Sequence, residues 1–322
     1  MAFYNLNSIN LSAMYRFLPV LIFIPSMFFS CSVYKIAEGY TSNKMANASL
    51  VLHKEVINGD TIEYWDNKEY DKPAIVLIHG FGVTTKYQWY KQVKILKKHY
   101  RIVIPNLFHF GNSKPGSDKF KVQDQVDLVQ NLLLHLSIER YVVCGVSYGG
   151  LIAIELANQN KEMLDKLIIF DTPVKYVYET DIVTICNKFN TESLHEIFAP
   201  SNATGLKKLM CVTTGKYAYI PTSWLKGIHK AHYLSNLDDK RALITSTLSE
   251  IKVYANREYV INVPTLIIWG SNDDLFPSER GKMLSDHLGG NAEFHVINNG
   301  GHMPNIAKSK KFNKLFSEFL QR

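Results

Sequence analysis

The most constraining feature of this chain is the pentapeptide Gly145-Val146-Ser147-Tyr148-Gly149, which lies between a run of strand-forming residues and a run typical of a helix. Gly-x-Ser-x-Gly in that context is typical of a sharp turn that holds its serine in a strained backbone conformation. Glycines are needed two positions either side because the strand and the helix pass too close there for a side chain. The sequence therefore predicts a strand–turn–helix unit with Ser147 as the candidate nucleophile.

Apolar segments rich in β-branched residues alternate with segments of helical periodicity along most of the 322 residues. Asn58-Gly59, between the first two predicted strands, is a strong hairpin signal. Continuous apolar runs are typical of strands that are buried on both faces of a parallel sheet. The alternation predicts an α/β fold with a doubly wound, mostly parallel sheet of eight strands. The strands are predicted at 50–57, 62–65, 74–78, 101–105, 141–146, 167–170, 263–269 and 292–297, and helices at 86–98, 121–136 and 305–321, with a further helix directly after Ser147.

The alternation stops between the sixth and the seventh predicted strand. Residues 174–262 are rich in Tyr, Lys, Leu and Ile and have helical stretches near 180–198 and 223–254. A structureless loop of that length would be unusual in a compact domain. The sequence therefore predicts a helical cap at 174–262, placed over the carboxyl ends of the strands, where ligands bind in open α/β sheets. The core then consists of residues 49–173 and 263–322.

The N-terminal residues have the layout of an export signal. Arg16 precedes an uncharged apolar run and then Ser30-Cys31, as in a secretory signal peptide. Ser30-Cys31 resembles the end of a bacterial lipobox, in which the cysteine carries the lipid after cleavage. An uncleaved membrane anchor is the second interpretation, since residues 17–34 have no charge and approach the length that spans a bilayer.

We therefore expect residues 1–34 to be a signal peptide or membrane anchor and residues 35–48 to be a polar linker. The chain starts at Met1, but Met14 would give a more typical signal. Either interpretation places the catalytic domain outside the cytoplasm. The expected location is that of an exported, membrane-associated lipoprotein, with a secreted or single-pass anchored protein as the alternative.

Charge and cysteine content exclude some function classes. The net charge of +7 is mildly basic, and several lysines fall on one predicted helix: Lys86, Lys91, Lys94, Lys97 and Lys98. We interpret them as a solvated helix face; with no zinc-finger spacing, RNA-binding signature or P-loop, a nucleic-acid partner is not expected. Cys144 is expected to be a small buried apolar residue, and four cysteines without close spacing argue against a structural metal. Whether Cys186 and Cys211 form a disulfide stays open.

Serine catalysis needs a base that takes the hydroxyl proton and an acid that holds the base. The acid and then the histidine should follow Ser147 along the chain, each just after a strand. His302 lies on the glycine-flanked turn after the last strand and is the candidate base. Three carboxylates compete for the third role: Asp273 and Asp274 after the seventh strand, and Asp171 after the sixth.

The negative charge that develops on the substrate carbonyl needs two backbone N–H donors. Tyr148, the residue after the nucleophile, is the first candidate. The second is Phe81, in the loop His79-Gly80-Phe81-Gly82 that follows the strand at 74–78. The glycines of that loop allow its backbone to approach a substrate.

Four motifs in order resemble the α/β-hydrolase superfamily: the loop at 79–82, the Ser147 turn, the stretch 270–277 and the turn at 301–304. The resemblance covers roughly residues 50–320 and is closest to the branch of esterases, monoacylglycerol-lipase-like enzymes and carbon–carbon-bond hydrolases. In that branch the acid is the third residue after the glycine, which implies Asp273. Asn106 and Ala307 depart from common family residues outside the triad, and a serine nucleophile argues against the epoxide-hydrolase and haloalkane-dehalogenase branches.

The resemblance implies a serine hydrolase that cleaves carboxylic esters of small or lipid-like acyl groups through an acyl-enzyme on Ser147, without a cofactor. Carbon–carbon-bond hydrolysis or perhydrolase chemistry on the same triad is the enzymatic alternative. A non-catalytic ligand-binding protein that kept the fold is the alternative from another class. The sequence does not indicate the natural substrate or the oligomeric state.

Overall fold

The computed structural model describes residues 30–82, 84–175, 177–214 and 222–322, and its centre is a sheet of eight strands. The order across the sheet is β1-β2-β4-β3-β5-β6-β7-β8. Strand β2 is antiparallel to both of its neighbours, β1 and β4. All other neighbouring strands, including β3, are parallel. The predicted doubly wound, mostly parallel sheet is confirmed. The strands are β1 (Val51–Ile57), β2 (Asp60–Asp66), β3 (Ala74–Ile78), β4 (Arg101–Pro105), β5 (Tyr141–Val146), β6 (Leu164–Phe170), β7 (Thr265–Gly270) and β8 (Ala292–Ile297).

Each inner strand contributes side chains to a hydrophobic cluster on both faces of the sheet. In β3, Val76 and Ile78 pack on one face, while Ile75 and Leu77 pack on the other. All five residues of β3 and all six of β5 are buried. Because successive side chains of a strand point to opposite faces, a continuous apolar run is what a sheet covered on both sides requires.

The predicted hairpin is formed by β1 and β2, which pair from Val51 with Asp66 to Ile57 with Asp60. Asn58 and Gly59 occupy the turn with φ of 52° and 86°. A two-residue hairpin turn that matches the twist of its strands has positive φ at both central residues, and asparagine and glycine tolerate this conformation best.

Of the helices that cover the two faces, α12 was not predicted; the others lie close to where periodicity predicts, with two interruptions. They are α2 (Thr85–Trp89), α3 (Val93–Leu96), α4 (Val122–His135), α5 (Tyr148–Gln159), α12 (Ser278–Leu288), α13 (Pro304–Ala307) and α14 (Ser309–Gln321). The continuous helices predicted at 86–98 and 305–321 are wrong, since each is split in two. The buried amide of Gln92, between α2 and α3, donates to Asn305 O at 3.0 Å and to Asn313 Oδ1 at 2.7 Å. This contact between distant segments joins both interruptions, and periodicity carries no information about it.

The segment between β6 and β7 is helical, as expected of the cap, but it is divided more finely than predicted. Its helices are α6 (Glu179–Lys188), α7 (Leu194–Phe198), α8 (Ala203–Thr214), α9 (Thr222–His232), α10 (Leu237–Ser249) and α11 (Ile251–Asn256). The outer cap helices have a small hydrophobic cluster of their own, made of Leu206, Leu209, Leu225 and Tyr233. Helix α8 falls outside both predicted helical stretches.

The polar linker predicted at 35–48 is wrong, because most of it belongs to helix α1 (Ser30–Ala46). Glu38 on this helix pairs with Lys86 and Tyr87 on α2, and Met45 is fully buried against the core. The tertiary contacts thus order a segment whose composition is that of a linker. Among the helices of the described residues, none has both the length and the apolar character that a membrane span requires. The signal peptide or anchor predicted at 1–34 lies, apart from the first residues of α1, outside the described residues.

The disulfide left open between Cys186 and Cys211 is not formed. Both cysteines are free, on α6 and α8 respectively. Cys211 is buried and Cys186 packs against the main hydrophobic cluster, so each occupies an apolar position. Cys144 in β5 is also free and fully buried, as predicted for a small apolar residue.

Candidate active site

Ser147 occupies the turn between β5 and α5 with φ of 52° and ψ of −125°. Such a conformation is strained for a residue with a side chain and persists only where the surroundings impose it. The close contacts at Gly145 and Gly149 show how the surroundings impose this conformation. A Cβ atom on Gly145 would lie 2.2 Å from Gly149 O, and one on Gly149 would lie 2.3 Å from His79 O. The strand, the helix and the loop after β3 therefore close on the serine, as the motif predicted.

His302 and Asp273 are joined by a hydrogen bond of 2.9 Å between Nδ1 and Oδ2, and both side chains are almost completely buried. Asp273 Oδ1 accepts from the backbone N–H groups of Leu275 and Phe276, at 2.8 and 3.3 Å. These bonds fix the carboxylate. Asp274 points away and pairs with Lys188 of the cap. Of the two adjacent aspartates, Asp273 is thus the one placed to orient the histidine.

Asp171, the third carboxylate considered, lies beside this pair. It is fully buried, has a φ of 47°, and accepts from Gly270 N–H through Oδ1 at 2.9 Å, whereas Oδ2 has no hydrogen-bond partner among the residues that the structure describes. Burial, followed by the charge of Asp273, raises the pKa of Asp171 well above its usual range. The buried carboxyl of Asp171 therefore favours its neutral form more than an exposed aspartate does, and Asp273 is the carboxylate that contacts His302.

Among the described residues, side-chain atoms of Asp171, Asp273 and His302 lie within 4.8 Å of one another, which is close enough to hold a metal ion. His302 Nδ1 and Asp273 Oδ2 are already engaged in a bond to each other. A buried carboxylate that orients an imidazole is the arrangement found in serine catalysis, and the donor set fits that use better than a cation.

Phe276 lies between Ser147 and the His302 side chain in the network of contacts. Ser147 lines a large cavity together with Phe276, and the Phe276 ring lies 5.8 Å from the His302 ring, centre to centre. The structure joins His302 to Asp273 directly, but Ser147 Oγ forms no hydrogen bond to His302. Catalytic hydrogen bonds are often long without substrate and tighten when it binds.

Two residues that line the cavity beside Ser147 are the candidate backbone donors. Within the described chain, the N–H groups of Phe81 and Tyr148 have no hydrogen-bond acceptor, and both residues line the cavity beside Ser147. His79 shapes the loop that carries Phe81: its Nδ1 donates to Gly80 O at 2.7 Å, and its Nε2 accepts from Leu107 N–H at 3.1 Å. Burial lowers the pKa of His79 to about 4, so the ring stays neutral and keeps both bonds.

The cavity beside Ser147 measures about 680 Å³ including its mouth. Its walls are mostly aliphatic and aromatic and come largely from the cap: Ile182, Leu194, Phe198, Ile244, Leu248 and Ile251. Apolar pockets with a few placed polar groups are the usual form of small-molecule sites. We call this space the acyl cavity.

A second, polar cavity lies on the other side of the Phe81 loop, and sequence reasoning missed it. It measures about 260 Å³ with its mouth, and Gly82, Phe110 and Lys240 are among its lining residues. Lys240 is only 2% exposed. Nothing in the sequence distinguishes this lysine from the exposed lysines of neighbouring helices, so only the packing of the cap on the core identifies it. We call this space the Lys240 cavity.

The sheet order, the strained serine turn after β5 and the cap between β6 and β7 define the α/β-hydrolase fold. A family profile described as "alpha/beta hydrolase fold" matches residues 73–193. The chain therefore has the α/β-hydrolase fold, and its enzyme class is hydrolase.

Individual relatives are distant. The monoacylglycerol lipase ABHD6 of Homo sapiens is 23% identical over 77% of this chain and 75% of its own length. The 2-hydroxy-6-oxononadienedioate/2-hydroxy-6-oxononatrienedioate hydrolase of Cupriavidus pinatubonensis is 25% identical over 77% of this chain and 86% of its own. The crystal structure of a candidate lipase (lip1) of Acinetobacter baumannii superposes with a TM-score of 0.77 at 22% identity, over 88% of this chain and 95% of that one. At such identity the structural likeness shows the fold alone.

Proposed function

We propose that this protein is a serine hydrolase that cleaves carboxylic esters with an apolar acyl group. The observation that carries the proposal is the acyl cavity, a large and mostly apolar space with Ser147 on its wall. An acyl chain buried there gains roughly 0.8 kcal/mol for each CH₂ group. The similarity to a monoacylglycerol lipase supports the same reading.

The residues around Ser147 supply each part that acyl transfer needs. His302 Nε2 takes the proton from Ser147 Oγ as that oxygen attacks the ester carbonyl, and Asp273 holds the ring through Nδ1 and stabilises the imidazolium. The N–H groups of Phe81 and Tyr148 stabilise the tetrahedral oxyanion. The leaving alcohol then takes the proton from His302, which leaves an acyl-enzyme. Water, activated by His302, hydrolyses that ester and frees Ser147.

Carbon–carbon-bond hydrolysis on the same residues is the second candidate. The relative of Cupriavidus pinatubonensis, a hydrolase of a dienedioate, is the observation that favours it. Such substrates carry carboxylates, whereas the acyl cavity has few polar groups. Ester hydrolysis therefore fits this cavity better.

Hydrolysis of p-nitrophenyl esters from acetate to palmitate tests the proposal. We expect turnover to increase with chain length until the acyl cavity is filled. Ser147→Ala should lower kcat by roughly 10³-fold or more at every length, because the nucleophile is lost. Ser201→Ala, which changes an exposed cap serine, is the matched control. Turnover by Ser147→Ala at the control level would contradict the mechanism, and turnover of a keto-dienoate without any ester turnover would favour the second candidate.

We also propose that the protein is exported and, after cleavage of the signal peptide before Cys31, is held at a membrane by a lipid on that cysteine. The basis is the sequence layout of Arg16, the apolar run and Ser30-Cys31. A lipid substrate would then be reached from the membrane surface. Labelling with a radioactive fatty acid tests this: incorporation should disappear in Cys31→Ala. Equal membrane association and no label in both forms would indicate an anchor or another mode of attachment.

A further inference from the structure

Lys240 on α10 is a buried ammonium group that has no acidic partner among the described residues. Its Nζ donates to His232 O, lies 4.4 Å from the centre of the Tyr233 ring and 5.1 Å from that of Phe110. No carboxylate lies within salt-bridge distance of it in the part of the chain that the structure describes. Burying an unpaired ammonium costs several kcal/mol, so an apolar residue would be the cheaper occupant.

The groups that face Lys240 do not supply the missing negative charge. They are His79 after β3, the His232 ring and the Tyr233 ring on the α9 side. Burial lowers the pKa of His232 to about 4, so this ring is neutral. Glu38 lies behind His232 and is paired with Lys86, while Asp239, next to Lys240 on α10, faces His109 at 3.7 Å.

The Lys240 cavity offers that ammonium group a polar space. Besides Lys240, its lining includes Thr84, Ser235 and Asn236. The cavity is also close to the reaction centre, because Gly82 on its wall follows Phe81, the candidate oxyanion donor. The Phe110 ring on the same wall packs edge-on against the Phe81 ring at 5.1 Å between centres. One pair of aromatic rings thus separates the polar cavity from the acyl cavity.

We propose that the Lys240 cavity binds an anionic group, a phosphate or a carboxylate, on the alcohol portion of the ester. The inference rests on the proposed ester hydrolysis and deepens it. With the acyl chain in the apolar cavity and the carbonyl at Ser147, the alcohol portion extends past Phe81 toward Gly82 and Thr84. An anion in this cavity accepts a charge-assisted hydrogen bond from Lys240 Nζ. It thereby supplies the negative charge that no described carboxylate provides to this ammonium group.

A purely structural role for Lys240 makes a different prediction. Its bond to His232 O satisfies a carbonyl at the last residue of α9, and a cation at a helix C-terminus is stabilising. That role would lower the stability of a variant without changing its preference among substrates. Substrate selectivity by charge therefore separates the two roles.

The test compares 1-octanoylglycerol, 1-octanoylglycerol 3-phosphate and the octanoyl ester of glycerate, which share an acyl chain and differ in the charge of the alcohol. We expect the full-length enzyme to have a lower KM for at least one anionic ester than for the neutral one. Lys240→Met should reduce that preference about tenfold to a hundredfold, as expected when a hydrogen-bonded charge pair is lost. Lys240→Arg should retain most of it. Lys230→Met, at an exposed position on α9, is the control and should keep the wild-type preference.

The outcomes separate this proposal from the function on which it rests. If the wild type hydrolyses all three esters without a preference for charge, the anion site is overturned and ester hydrolysis stays intact. The same holds if Lys240→Met loses kcat/KM equally for the neutral and the anionic esters. If none of the esters is hydrolysed, calorimetry with decyl phosphate and decanol measures binding alone. Tighter binding of decyl phosphate that Lys240→Met abolishes would support the site, and equal binding would overturn it. A larger loss for the phosphate than for the glycerate ester identifies the source of the anion. If Lys240→Met does not fold, the comparison between wild type and Lys240→Arg remains.

The same experiment has a pH readout. Burial lowers the pKa of Lys240 to about 7, so its positive charge is present below that pH and is lost above it. The preference for the glycerate ester over the neutral ester should therefore fall between about pH 6 and 8, while the carboxylate itself stays charged. The ratio cancels any pH dependence of the chemical step, which both esters share. Because an arginine stays protonated, Lys240→Arg should shift the fall to higher pH; a preference that is flat with pH in both forms would contradict the role of this charge.

Discussion

The catalytic edge of the sheet and the cap are built in different ways. Along the edge, Ser147, Asp171, Asp273 and His302 each follow the end of one of the neighbouring strands β5, β6, β7 and β8. Their positions are set by backbone pairing, and the bond between His302 and Asp273 completes the arrangement. In the cap, by contrast, side chains from several short helices form the walls of the cavities.

The difference indicates a division of labour. The edge holds groups to within hydrogen-bond distances because parallel strands end together, and this geometry suits a reaction common to many substrates. The cap holds its residues by side-chain packing and side-chain polar contacts, such as that of Lys188 with Asp274, so its side chains can change without moving the strand ends. Substrate choice is therefore expected to depend on the cap, and the chemical step on the edge.

The largest effect that tests this division is at the acid. Asp273→Asn should lower kcat by about 10³- to 10⁴-fold, because an amide no longer stabilises the imidazolium or its tautomer. Asp274→Asn, the matched control one residue away, should stay within a few-fold, since that carboxylate pairs with the half-exposed Lys188. Steady-state kinetics on one p-nitrophenyl ester measures both. The reverse order of losses would place the acid at Asp274.

An intermediate effect is expected in the cap. Leu248→Trp adds bulk inside the acyl cavity, so long-chain esters should lose about tenfold or more in kcat/KM relative to acetate, and the preferred chain should shorten. Leu234→Trp introduces the same ring at an exposed position and should leave the chain-length profile unchanged. A uniform loss at all chain lengths in Leu248→Trp would show that the cap affects the chemical step, which breaks the proposed division.

The smallest effect on catalysis is expected at Asp171. Its pKa is raised in the folded state, so its contribution to stability is present below the pKa of the unfolded chain and is lost as the pH rises toward the folded value. Asp171→Asn keeps an acceptor for Gly270 N–H and does not ionise. The melting temperature of Asp171→Asn minus that of the wild type should therefore increase from pH 5 to pH 8, by a few degrees, while kcat stays within about tenfold.

Asp274→Asn is again the control for that measurement, because its carboxylate is partly exposed. A difference in melting temperature that does not change with pH would mean that Asp171 is charged in the folded protein. In that case Asp171, and not only Asp273, would carry the negative charge beside His302. A loss of kcat comparable to that of Asp273→Asn would lead to the same conclusion.

The sequence by itself determined the sheet and the edge residues. Strand alternation, Asn58-Gly59 and the glycines around Ser147 are local signals, and each reflects a backbone constraint that acts over a few residues. Because ends of parallel strands meet at one edge, locating Ser147 and His302 after their strands was enough to bring them to one place. The choice of Asp273 rested on family resemblance, and the structure gives it the contact with His302.

Only the tertiary structure decided the rest. Gln92, between α2 and α3, bonds to Asn305 on α13, α1 docks on α2 and α9, and the cap buries Lys240 beside a polar cavity. Each of these joins segments that are far apart in the chain. Hydrophobic periodicity reports which face of an element is buried, but not which element covers it or which polar atoms meet there. The candidate reaction could therefore be predicted from local patterns, whereas the cavities that would select the substrate could not.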